Sequence, residues 1–128
     1  MKREEKRAKF EVIFKNEFKE VKETEREKIE EAFNDAVMSV ISNNIQNREQ
    51  EANSLLAKVR SDPTLTQIYE DLSKFMLKNE DLCESTYIEN RTKPTHNDET
   101  RIKIFCCQFI LSCIEADIEP EKIMFTEG

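Results

Sequence analysis

The stretch IKIFCCQFILSCI, residues 102–114, decides the fold of this chain. Its apolar residues recur with the 3.6-residue period of a helix and occupy two faces, which leaves the polar residues only about 60° of arc. A helix that is apolar almost all round is buried, so we expect a helix over 98–116, capped by Asn97 or Asp98, to form the hub of a bundle. The two faces are Ile102, Phe105, Cys106, Phe109, Ile110 and Cys113, and Ile104, Cys107, Leu111 and Ile114.

The amino-acid composition points to the same fold class. Glycine occurs once in 128 residues, at Gly128. Phosphate-binding loops and dinucleotide-binding folds need internal glycines where the backbone approaches a phosphate or adopts positive φ, so both are excluded. Sandwiches and barrels need many turns, which glycine and proline usually supply, and the chain has three prolines. We therefore predict one all-α domain over residues 1–128, a compact bundle of four to five helices.

Helical periodicity and capping signals predict two helices at the N-terminal end of the chain. Residues 1–22 are predicted to form a charged amphipathic helix, with Val12 outside its apolar stripe. The next helix should run from about 25 to 43, because Thr24 and the Glu three positions later make a capping box. Its main apolar face is accompanied by a smaller one that includes Met38, so we expect this helix to touch neighbours on two sides.

The same signals divide the C-terminal half. A helix should end at Arg60, and another should begin at Pro63 with Asp62 as its N-cap. The polar stretch ENRTKPTHNDET, residues 89–100, has no apolar period and predicts a loop. After the hub, the apolar residues that flank and follow Pro120 should fold back on the bundle as a short tail.

The four cysteines do not have the spacing of a zinc site, which needs two close pairs of ligands. Cys106 and Cys113 lie about 10.5 Å apart along a helix, beyond the roughly 7 Å that a disulfide spans. We expect them to be buried, reduced thiols, and His96 to be a solvated loop residue rather than a catalytic base. No cofactor and no metal are predicted.

The net charge of −7 is unevenly distributed along the chain. Residues 61–90 carry seven acidic and two basic side chains. The apolar stripe of the helix predicted to begin at Pro63 places Glu70 and Asp71 on the outer face of that helix. A dense acidic surface attracts a basic partner. The predicted partner-binding residues are Glu70, Asp71, Glu80, Asp81, Glu84 and Glu89.

Two other surfaces stay open as alternatives. Phe10, Phe14 and Phe18 share one helical face that could dock into a partner's groove. A basic cluster at the N-terminus could instead contact nucleic acid, which the acidic remainder of the chain would repel. That cluster is Lys2, Arg3, Lys6, Arg7 and Lys9.

Taken together, these patterns favour a small acidic, non-enzymatic protein-binding module. A regulator, an inhibitor or a complex subunit, of the kind that phages and mobile elements encode, would fit this class. The alternative is a nucleic-acid-associated helical protein, and a hydrolase using E-x-x-E carboxylate pairs comes third because no later E-x-x-D pair completes such a site. No secretory signal and no membrane span are evident, so we expect a cytoplasmic protein that can form a homodimer through the second hub face.

Overall fold

The computed structural model describes residues 23–42, 47–79 and 96–123, together with positions 5, 8, 9, 12 and 13. Of these residues, 90% are helical and none lies in a strand. The described helices are α1 (Glu23–Ser42), α2 (Arg48–Arg60), α3 (Pro63–Lys78), α4 (His96–Glu115) and α5 (Pro120–Ile123). The predicted all-α bundle is confirmed.

The predicted hub is α4, which packs against α1, α2 and α3 and joins them in one hydrophobic core. All six residues of its first apolar face are buried. On the second face, Ile104 and Cys107 are completely buried, while Leu111 and Ile114 are half-buried against the core. Leu111 and Ile114 keep part of their surface exposed, so a homodimer through this face stays a prediction.

The start of α3 shows why the sequence forms a helix there. Asp62 has extended backbone angles, and its Oδ1 accepts a hydrogen bond from the backbone N–H of Thr64 at 2.8 Å. Pro63 follows as the first helical residue, where its missing N–H costs nothing. Both predicted roles are confirmed, and the predicted stripe is buried at Leu65, Ile68, Leu72, Phe75 and Met76.

Two predicted helix boundaries were wrong. The helix α4 begins at His96, so residues 96–100 of the predicted 89–100 loop are helical, and Asn97 and Asp98 lie inside the first turn. These residues include no helix breaker, and the exposed carboxylate of Glu99 complements the positive end of the helix dipole. Likewise Thr24 lies inside α1 rather than at its N-cap, because the helix already includes Glu23.

The second apolar face predicted for α1 is not buried at Met38, whose exposed fraction is 59%. Among the described helices, α1 packs mainly against α4. The side chains of Ile41 and Ile45, which complete the predicted second face, lie outside the described residues. The main apolar face consists of Ile29, Ala32, Phe33, Ala36, Val37 and Val40, all buried.

Five positions of the predicted N-terminal helix are described, and all five are helical. Ile13 packs against the core, whereas Val12 is 60% exposed, as its position off the apolar stripe predicts. The Phe10, Phe14 and Phe18 face and most of the basic cluster lie outside the described residues.

The end of α4 is closed by a Schellman motif built without glycine. Ile118 N–H donates to the Cys113 carbonyl oxygen, and Asp117 N–H donates to the Ile114 carbonyl oxygen, both at 3.0 Å. Asp117 holds the left-handed position with φ of 62°. The chain then turns back, and Ile118 and Ile123 are buried against the bundle, as predicted for the tail.

None of the helices in the described part of the chain is both long and apolar enough to cross a membrane.

Candidate functional site

The described thiols are structural rather than reactive. Cys106, Cys107 and Cys113 are completely buried, and none forms a disulfide. Burial raises the pKa of Cys107 and of Cys113 to about 12, from an ordinary value of 9.0. A thiol that stays protonated at neutral pH is a poor nucleophile and a poor metal ligand. Cys83 and the side chain of His96 lie outside the described residues, and no group of potential metal ligands occurs within them.

Polar side chains of α3 contact one of these thiols, Cys106 of α4. Ser73 Oγ donates to Cys106 Sγ at 3.8 Å, and the same hydroxyl is hydrogen-bonded to the phenol of Tyr69. Tyr69 is half-buried, and burial raises its pKa to about 12. Because burial keeps the phenol protonated, this contact is suited to aligning two helices and not to acid–base chemistry.

Arg48 is a buried charged residue that the sequence reasoning missed. It is the first residue of α2, and its exposed fraction is 5%. Burial, together with the positive charge of Arg101 on α4, lowers its pKa. An arginine at the start of a polar helix is normally solvated, so nothing in the local sequence marked it as buried.

The predicted acidic site is described only at its N-terminal edge. Glu70 is exposed on α3, and the neighbouring Asp71 is half-buried and accepts a hydrogen bond from Gln67 Nε2 at 3.1 Å. Lys74 and Lys78 are exposed on the same helix, so its two acidic residues are matched by two basic ones. The other four predicted residues, Glu80, Asp81, Glu84 and Glu89, lie outside the described residues.

The structure brings a more acidic surface together on α1. Glu27, Glu31 and Asp35 follow one another at four-residue steps on the side opposite the buried face, and all three are exposed. Glu30 and the exposed Met38 flank this row; the exposed Arg26 and Lys28 lie beside Glu27, and no basic residue occurs between positions 29 and 42. We call Glu27, Glu31 and Asp35 the α1 acidic row.

The signal for the α1 acidic row was present in the sequence. The period that buries Ile29, Phe33 and Val40 also places the three carboxylates on the opposite face. The net charge of long stretches does not reveal the row, because it lies between the basic residues of the N-terminal segment and those of α2. Helix α1 itself has six acidic residues and two basic ones.

Comparison with models of known protein families, with curated proteins and with solved structures finds no match to this chain.

Proposed function

We propose that the protein is a small, non-enzymatic protein-binding module that acts as a regulator, an inhibitor or a complex subunit. What supports this best is the α1 acidic row. Three exposed carboxylates stand at four-residue steps, with Arg26 and Lys28 beside the first of them and no basic residue of the helix from position 29 to 42, and they repel one another in the free protein. A basic partner would relieve that repulsion and be attracted by it during encounter.

The rest of the described chain supports the same class of function. Most hub residues are buried, so the described groups that can meet a partner lie mainly on the outer faces of α1, α2 and α3. On α3, Glu70 and Asp71 add acidic groups at the start of the acidic segment 70–89, although Lys74 and Lys78 offset them locally. We propose that the α1 acidic row and this segment both contribute to binding a basic surface, in the cytoplasm.

The test begins with purification of the full chain from its source cells and identification of co-purifying proteins by mass spectrometry. The association rate with the identified partner is then measured for three charge-reversal variants, the first with three reversed residues and the other two with two each. The first reverses the α1 acidic row (Glu27→Lys, Glu31→Lys, Asp35→Lys), and the second reverses Asp81→Lys and Glu84→Lys. The control reverses Glu49→Lys and Glu51→Lys, which are exposed on α2.

We expect the first two variants to associate more slowly and the α2 control to associate at the wild-type rate. Thermal stability should change little in the first two variants and fall modestly in the control, because Glu49 and Glu51 lie at the positive end of the α2 dipole. Wild-type association should also weaken as salt rises from about 50 to about 300 mM, because screening then acts within about 10 Å. If neither acidic variant slows association, binding through an acidic surface is wrong. Salt-dependent retention of the wild-type chain on DNA would favour the nucleic-acid alternative instead.

A further inference from the structure

The segment of residues 118–123, which we call the C-terminal strap, returns across the bundle after α4 ends. Two buried side chains anchor it, Ile118 and Ile123, and α5 packs against both α3 and α4. Lys122 Nζ also donates to Glu25 Oε1 of α1 at 2.7 Å, joining positions 97 residues apart. The strap thus bridges three of the four long helices.

The ion pair that holds the strap is only partly shielded from water. The side chains of Lys122 and Glu25 keep 29% and 18% of their surface exposed. The hydrogen bond to Glu25 raises the pKa of Lys122, so the ammonium form is favoured while the strap is closed. An ion pair of this kind stabilises the closed position modestly and can break without disturbing the core.

The backbone on either side of Asp117 is suited to acting as a hinge. Its φ of 62° lies in the left-handed region, which is unfavourable for residues with a Cβ atom. Beyond it, Ile118 N–H bonds to the Cys113 carbonyl oxygen of the hub, whereas Lys122 N–H bonds to Glu119 inside the strap itself. Opening at Asp117 therefore relaxes a strained residue and breaks few backbone bonds.

Local opening has a low free energy where few apolar contacts and few backbone hydrogen bonds must be broken. The strap has two buried anchors, while the hub has nine residues between 102 and 113 with little or no exposure. We infer that the C-terminal strap opens and closes as a unit while the bundle stays folded, and that the Glu25–Lys122 ion pair holds it closed. We call the strap a latch and this ion pair its catch. When open, the strap frees the Cys113 carbonyl and exposes Ile118 and Ile123.

Amide hydrogen exchange on the full chain, resolved by residue, tests this latch. In the wild type, the amide of Ile118, whose hydrogen bond to the Cys113 carbonyl oxygen breaks when the strap opens, should exchange faster than those of residues 105–110. Its exchange should also respond little to low concentrations of denaturant, because opening the strap exposes little surface. The variant Ile110→Val destabilises the hub, so it should speed exchange of the hub amides several-fold and leave the strap amides unchanged.

The catch is tested by Lys122→Met, which should speed exchange at Ile118 about threefold, because the closed strap loses its ion pair. Glu25→Gln should give the same increase, and the double variant should give no further increase. Lys58→Met, at an exposed lysine of α2, is the matched control and should leave the strap unchanged. If Ile110→Val speeds the strap amides as much as the hub amides, the strap opens only on global unfolding and the latch is wrong. If Lys122→Met leaves strap exchange unchanged, the ion pair is not the catch.

Discussion

Phe33 of α1 and Phe105 of α4 meet edge to face, with ring centroids 5.5 Å apart and ring planes at 80°. Both side chains are buried, and this arrangement brings the positive edge of one ring to the negative face of the other. Phe105 also stacks along α4 with Phe109, at 6.4 Å and 6°. The Phe33–Phe105 contact lies in the most extensive interface between described helices, that of α1 with α4.

A double-mutant cycle with Phe33→Leu and Phe105→Leu should give a coupling energy of about 0.5–1.5 kcal/mol. Leucine keeps much of the buried volume but removes the ring, so the chain should stay folded. Urea unfolding of the wild type, both single variants and the double variant measures the coupling. A coupling energy near zero would mean that the rings contribute buried area only.

Phe109 lies in the core, so shortening its side chain should greatly lower the free energy of unfolding. Phe109→Ala should lower the free energy of unfolding by about 3–5 kcal/mol, because the side chain is completely buried in the hub. The control is Leu77→Ala at an exposed site on α3, which should change stability by less than about 0.5 kcal/mol. Comparable losses in the two variants would contradict the assignment of α4 as the hub.

The buried thiols should react slowly in the native protein. Cys106, Cys107 and Cys113 are completely buried, so alkylation should require opening of the bundle and should accelerate sharply on addition of denaturant. Cys83, predicted from the sequence to lie outside the hub, should react first. Peptide mapping by mass spectrometry after timed labelling gives each rate, and rapid native labelling of the three hub thiols would refute their burial.

Stability should fall as pH rises above about 9. Burial raises the pKa of Cys107 and Cys113 to about 12, so these thiols stay protonated in the folded chain after the unfolded chain, with ordinary values near 9.0, has lost their protons. The unfolded state then binds fewer protons, and each thiol lowers the free energy of unfolding by up to about 1.4 kcal/mol per pH unit. Urea titrations at several pH values should show a shallower slope for Cys113→Ala, and an unchanged slope would contradict this origin.

Replacing Asp117, the residue with left-handed backbone angles at the end of α4, should raise the stability of the protein. Asp117→Gly should stabilise the protein by about 0.5–1 kcal/mol, because glycine has no Cβ penalty at the position where Schellman motifs prefer it. Asp117→Asn removes the negative charge near the helix C-terminus but keeps the side-chain shape, which separates charge from backbone strain. Thermal melting measures both variants, and a destabilised glycine variant would contradict the role of φ at this residue.

The hub and the start of α3 were predictable because their signals act within a single helix. An apolar period of 3.6 residues buries Phe105 and Phe109 whatever the neighbouring helix is, and a cap such as Asp62 bonds to an N–H two residues away. The start of α4 at His96 was missed because polar residues without an apolar period are compatible with either a loop or a first helical turn. Two of the six predicted acidic residues, Glu70 and Asp71, are offset by Lys74 and Lys78 on the same helix, which the net charge of residues 61–90 does not show.

By itself, the sequence determined the all-α class, the enclosed hub with its thiols, and the capping of α3, since each follows from interactions between near neighbours along the chain. The tertiary structure alone decided that Arg48 is buried near Arg101, that Met38 stays largely exposed, and that Lys122 bonds to Glu25. These outcomes depend on which helices meet, and 97 residues separate the partners of that ion pair. Periodicity shows which face of a helix is buried, but only the packing of all the helices shows what each face meets.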